Sequence, residues 1–191
     1  MTKIYLAGPD VFLPDAADMG RRKAEICARH GLIGRYPLDN AVDVSARDAS
    51  LNVFRGNEAM MIEARAIIAN LTPFRGPSAD AGTVYELGYM AGRGILCLGY
   101  CNDPTRYADR VRKFTTVERQ DGRLVDTDGL TVEDFGLNDN LMMIHALDLH
   151  GCALVTPRQA PADIWHDFTA FESCVRMAAE RIASAHVRAS S

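Results

Sequence analysis

The chain has 191 residues, 48% of them apolar and 24% charged, with a formal net charge of -4. That length suits one domain with a sizeable core, and the mild acidity gives no general attraction to nucleic acid or to an anionic membrane. No apolar run approaches the roughly 20 residues of a membrane span, and the opening MTKIYLAGP enters an apolar strand without a signal-peptide cleavage pattern. A cytoplasmic setting is expected, with small molecules or further copies of the chain as partners.

In chain order, Lys3 to Ala7 is a short run of strand formers that Gly8-Pro9-Asp10 must break. From about Ala16 to His30 an apolar stripe through Met19, Ala24, Ile26 and Cys27 predicts a helix, and Gly31 stands at its C-cap. Leu32 to Leu38 reads as a second strand leading into Pro37-Leu38-Asp39-Asn40, and the polar stretch to about Ser50 as a long loop, expected to form part of a lid. A helix follows over Leu51 to Glu63, carrying Asn57 and Glu58, then a third strand over Ala64 to Leu71.

The stretch NLTPFRGPSADAGTVYELGY, Asn70 to Tyr89, joins the end of that strand to a Gly- and Pro-bearing loop and a helix that begins near Asp80. Gly92 and Gly94 close the helix, and Ile95 to Tyr100 is a fourth strand. Residues from about Asn102 to Gly136 are charged and rich in turns, and read as an insertion with a small hairpin. A helix over Leu137 to His150, a short fifth strand over Cys152 to Val155 and a final helix over about Ala162 to His186 complete the chain. Strand and helix alternate throughout, which predicts an α/β fold: a single domain over residues 1–191 with a five-stranded parallel sheet and helices on both faces.

In such a sheet ligands bind beyond the carboxyl ends of the strands. This collects Tyr5, Gly8, Pro9 and Asp10 from the first strand, Asp39 and Asn40 from the second, and the helix carrying Asp80 and Glu86 from the third. Asp80 is at the cap and Glu86 almost two turns on, so two carboxylates stand at the mouth of one helix. Gly82 lets a ligand approach the backbone, and Tyr85 and Tyr89 offer aromatic faces. Each residue also has a structural reading: Asp is a common cap, Glu suits an early helical turn, Tyr5 suits a core and Gly8-Pro9 suits a turn. The five cysteines, Cys27, Cys97, Cys101, Cys152 and Cys174, contain no CxxC pair, and the histidines have no ligand spacing, so no metal is expected. Gly8 is not followed by the full GxGxxG pattern, and no cofactor is expected either.

IYLAGPDVF at Ile4 to Phe12, PLDN at Pro37 to Asn40, DAGTVYELGY at Asp80 to Tyr89 and NLM at Asn140 to Met142 together resemble the nucleoside 2-deoxyribosyltransferase family. The resemblance implies a flavodoxin-like, or Rossmann-like, sheet and the transfer of 2-deoxyribose from a 2′-deoxynucleoside donor to a free nucleobase. Glu86 matches the family's nucleophile, Asp80 the carboxyl group that exchanges a proton with the base, and Tyr5 the hydroxyl that orients the nucleophile. Those two carboxyl duties need different protonation states, so Asp80 is expected to titrate above Glu86. The resemblance further points to Gly8, Pro9, Asp10, Phe12, Asn40 and Gly82 as substrate contacts. Glu58 falls where the family often carries an aspartate. Asn140 and Met142 match residues reached across from a neighbouring subunit, which implies a homo-oligomer with shared sites. Ala41 stands where some members have a glutamine that touches the base, so base preference does not carry over.

Two other readings stay open. Hydrolases share the IYLAGP opening and the glutamate, so a nucleoside or nucleoside 5′-monophosphate N-glycosidase differs only in using water as acceptor, and Arg75 is the cation that a phosphate would need. A non-catalytic nucleotide-binding module is the third.

Overall fold

A computed structural model of the chain describes residues 1–40, 45 and 47–189. Ala41 and most of the expected lid loop lie outside the described residues. Strands β1 (Thr2–Ala7), β2 (Leu32–Arg35), β3 (Ala66–Asn70) and β4 (Leu96–Tyr100) form a parallel sheet in the order β2-β1-β3-β4. Helix α1 (Ala16–Arg29) links β1 to β2, α2 (Ala49–Glu63) precedes β3, and α3 (Ala81–Gly92) links β3 to β4.

Strand residues alternate between the sheet's two faces, and the core divides with them. Ile4, Leu6, Ile68 and Leu98 pack against Ile26 and Cys27 of α1 and against Phe171, Cys174 and Val175 of α6 (Thr169–Ala189). Tyr5, Ala7, Ile67 and Ala69 face the other way, onto Met60 and Met61 of α2, Leu87 and Met90 of α3, and Met143 and Leu147 of α5 (Leu141–His150). Helices therefore cover both faces, and β1 and β3 are buried on each side, as their nearly continuous apolar runs require.

The sheet has four strands, not the five expected. The segment read as a fifth strand makes only isolated parallel bridges to β4, Cys97 with Gly151 and Tyr100 with Val155. Between those bridges β4 advances three residues while the other segment advances four, so one residue is left over and the ladder cannot continue in register. The last helix also starts later than its apolar pattern suggests. Asp163 Oδ1 accepts from the N–H groups of Trp165 and His166, and Asp167 accepts from that of Thr169. These local side-chain turns compete with helix until Thr169.

In the inserted segment, α4 (Tyr107–Val111) precedes an antiparallel sheet of β5 (Val117–Gln120), β6 (Arg123–Asp126) and β7 (Thr131–Val132). The β5–β6 hairpin turns at Asp121-Gly122, where both residues have positive φ, as a two-residue turn of this kind requires. Ala108, Val111, Leu124 and Val132 form a small core of their own. No helix among the described residues is long and apolar enough to cross a membrane, and no group of three or more potential metal ligands occurs among them.

Candidate active site

The turns that follow β1 and β2, one face of α2 and the start of α3 meet at a cleft of about 600 Å³. Six residues expected from the sequence line it: Gly8, Phe12, Asn40, Asp80, Gly82 and Glu86. The chain gets there by sharp local turns. Pro9 opens a single helical turn over Pro9–Phe12, and a second such turn covers Pro37–Asp39. Gly8 has to be glycine because a Cβ there would strike the Asp10 carboxylate and lie 2.8 Å from Asn70 Cβ.

Tyr5 sits behind the cleft. It is fully buried on β1, on the sheet face that packs against α3, and its hydroxyl donates to Glu86 Oε1 at 2.6 Å. Burial, and then the neighbouring Glu86 carboxylate, push the phenol far above its ordinary range, so Tyr5 remains a proton-bearing donor. Glu86 is itself pushed up to about 7, chiefly by burial; the Tyr5 hydrogen bond lowers it and the nearby Asp80 charge raises it. Burial therefore raises the carboxyl that the sequence reading expected to be the lower of the two.

Asp80 is the N-cap of α3. Its Oδ2 accepts from the Thr83 N–H at 3.0 Å and the Thr83 hydroxyl at 3.1 Å, so the helix-capping reading and the site reading hold for one residue. The loop ahead of it is pinned by buried Asp139, which accepts from Ser78 Oγ at 2.5 Å and from the Ala79 N–H at 3.1 Å and pairs with Arg110 at 3.1 Å. Arg110 comes from α4, so the inserted segment supports the loop that presents Asp80.

Asn40 closes another side. Its Nδ2 donates to the carbonyl of Val53 on α2, and any side chain at Gly56 would overlap the Asn40 amide, so glycine there lets the PLDN turn dock on the helix. At the rim, Phe12 stacks on Phe74 with centroids 5.3 Å apart, and the Arg75 guanidinium lies over both rings at 5.3 and 4.7 Å.

The other expected contacts do not reach the cleft in this chain. Asp10 is buried under the turn, where it pairs with Lys23 at 2.5 Å and accepts from Asn70 Nδ2 at 3.0 Å. Pro9 is buried as the first residue of its helical turn. Glu58 lies on α2 outside the lining. Asn140 caps α5, accepting from the Met142 N–H and donating to Glu133, and Met142 is 71% exposed. Sequence reasoning missed Val11, Pro37, Leu38, Val53, Asn57 and Thr83, which complete the lining. Val53 and Asn57 are one turn apart on α2, a spacing that could have marked a common face.

The match to the family model described as nucleoside 2-deoxyribosyltransferase runs over residues 4–142. The chain belongs to that family. An uncharacterized protein of Schizosaccharomyces pombe is 32% identical over 155 residues, covering 73% of this chain and 74% of its own. Among solved structures, a 2-desoxiribosyltransferase from Leishmania mexicana is 28% identical with a TM-score of 0.63, over 92% of this chain and 97% of that one. A conserved protein from Enterococcus faecalis V583, 24% identical with a TM-score of 0.55 over 82% of this chain and 92% of its own, shares the fold.

Proposed function

We propose that this cleft transfers 2-deoxyribose between nucleobases by double displacement at Glu86. The observation that carries the proposal is the 2.6 Å hydrogen bond from buried Tyr5 to Glu86 Oε1, in a cleft that Asp80 also lines. Ionised Glu86 attacks the anomeric carbon as the bond to the departing base nitrogen breaks, and that nitrogen takes a proton from the Asp80 carboxyl. The incoming base then attacks the glycosyl-glutamate ester from the face that the first base left. Asp80 recovers a proton, Glu86 is released as carboxylate, and configuration is retained. Tyr5 fixes the orientation of Glu86 and steadies its charge, which otherwise has little solvation.

A neutral nucleoside suits the cleft better than its 5′-phosphate. Two carboxylates line it, and no Lys, Arg or His does among the described residues. Arg75, the cation considered for a phosphate, lies over Phe12 and Phe74 at the rim. In its family, the protein would then serve nucleoside salvage, with Asn140 and Met142 completing the site of an adjoining subunit.

The test is to incubate the purified protein with 2′-deoxyinosine, with and without adenine, and to separate the products by chromatography. The proposal expects 2′-deoxyadenosine only when adenine is present, and none with Glu86→Ala. Hypoxanthine and free 2-deoxyribose released at the same rate without adenine would make the protein a hydrolase instead.

A further inference from the structure

The rim of the cleft is an aromatic wall assembled from three distant parts of the chain. Phe12, on the single helical turn after β1, lines the cleft and is 55% exposed, so core packing fixes little of its ring. What steadies it is Phe74, stacked on it with 15° between the ring planes. Trp165 in turn meets Phe74 at 6.3 Å between centroids and 87°, the edge-to-face arrangement that aromatic quadrupoles favour. Trp165 is not among the residues that line the cleft; it stands behind Phe74.

The segment that carries Trp165 is tied down on both sides of it. Buried Asn102 donates from Nδ2 to the carbonyls of Ile164 at 2.8 Å and Asp167 at 3.0 Å. Asp163 Oδ1 accepts from the Trp165 N–H at 2.9 Å. His166 makes hydrogen bonds with Asp163 Oδ2 at 2.8 Å and, through Nε2, with Asp15 Oδ2 at 3.0 Å. Asp15 is the N-cap of α1 and lies three residues after Phe12, so this short segment braces the rim through Phe74 and holds the chain just beyond Phe12 as well. The indole is thereby held at a set angle, and Phe74 has a fixed stop behind it.

We infer that Trp165 is a positioning residue for the nucleoside: it holds Phe74, and through Phe74 the cleft ring of Phe12, in the orientation that meets the flat face of the base. This rests on the nucleoside reading of the cleft. A ring that is already in place spares the ligand the cost of ordering it, so the support appears as affinity for the donor rather than as speed of the chemical step.

The experiment measures steady-state exchange of 2′-deoxyinosine with adenine for the wild type, Trp165→Leu and Trp165→Phe, beside thermal unfolding of each. Trp165→Leu should raise KM for 2′-deoxyinosine by about 3- to 10-fold, the scale of one aromatic pair, with kcat within about twofold of the wild type. Trp165→Phe keeps an aromatic edge for Phe74 and should recover most of that loss. With Phe74→Leu already present, Trp165→Leu should add less than about twofold, because the ring through which it acts is gone. An unchanged KM in Trp165→Leu, a loss confined to kcat, no recovery in Trp165→Phe, or losses that multiply in the double variant would each overturn the inference. If Trp165→Leu does not fold, the wild type decides, since Trp165 is the only tryptophan in the chain. Its fluorescence should change on saturation with 2′-deoxyinosine, and constant emission overturns the inference. A wild type that neither exchanges nor binds 2′-deoxyinosine overturns both this and the nucleoside reading, whereas exchange indifferent to Trp165 would sink this inference alone.

Discussion

Two carboxylates lie close to the carboxyl edge of the sheet, and the protein treats them in opposite ways. Asp10, under the turn after β1, is buried against the Lys23 ammonium, which also lies 5.3 Å from the Phe171 ring centroid, and a second oxygen takes the Asn70 amide. Glu86, at the mouth of α3, receives one neutral hydroxyl and has another carboxylate for a neighbour. The first arrangement satisfies a charge and closes it off. The second leaves a charge undercompensated beside a cleft, which costs stability and is the setting that the proposed nucleophile requires. The sequence marks both residues with equal emphasis, one in GPD and one in YELGY, and burial with a cation separates structural from chemical use.

Substitution should separate them most sharply at Glu86. Glu86→Ala is expected to cut base exchange by at least about 10³-fold in a steady-state assay while leaving the fold intact, because a nucleophile has no substitute in this cleft. Asp10→Ala should do the reverse. It strands the Lys23 ammonium in the core, and denaturant unfolding should show a loss of about 3–5 kcal/mol.

A smaller effect tests the cost assigned to Glu86. Its carboxyl is raised from 4.5 to about 7, so the folded state holds the proton more tightly than the unfolded chain. The resulting stabilisation is fully present below pH 4.5 and is lost as pH rises through about 7. Glu86→Gln should therefore be more stable than the wild type at pH 8, by on the order of 2 kcal/mol, and nearly equal to it at pH 4. Equal stabilities at both pH values would mean that the charge is not strained.

The finest distinction falls on Tyr5. Its hydrogen bond lowers the Glu86 carboxyl, so Tyr5→Phe should shift the acid limb of kcat/KM upward from about 7. It should also reduce kcat by roughly tenfold, the scale of one charge-assisted hydrogen bond. An acid limb that stays in place would show that Tyr5 packs against Glu86 without acting on its charge.

Much of this arrangement was legible because it depends on local periodicity. The alternation of Ile4, Tyr5, Leu6 and Ala7 already separates the two faces of the sheet, and Asp80 with Glu86 requires only one helix to be placed. What escaped depends on distant partners. Lys23 shares a face of α1 with Met19 and Cys27, and a lysine on an apolar stripe signals a buried counterion, but nothing local names Asp10 as its mate. The fifth strand failed on a one-residue mismatch against β4, which no composition reveals. Asn57 lines the cleft where the sequence reading names its neighbour Glu58, because adjacent helical residues point about 100° apart and Gly56 docks α2 against Asn40.

The central claim is a covalent bond to Glu86. Intact-protein mass spectrometry after mixing the wild type with 2′-deoxyinosine in the absence of an acceptor base, followed by peptide mapping, tests it directly. The account predicts a 2-deoxyribosyl adduct on the peptide containing Glu86, absent from Glu86→Gln and discharged by adenine with formation of 2′-deoxyadenosine. An adduct on another residue, or base exchange that proceeds in Glu86→Gln, would contradict it.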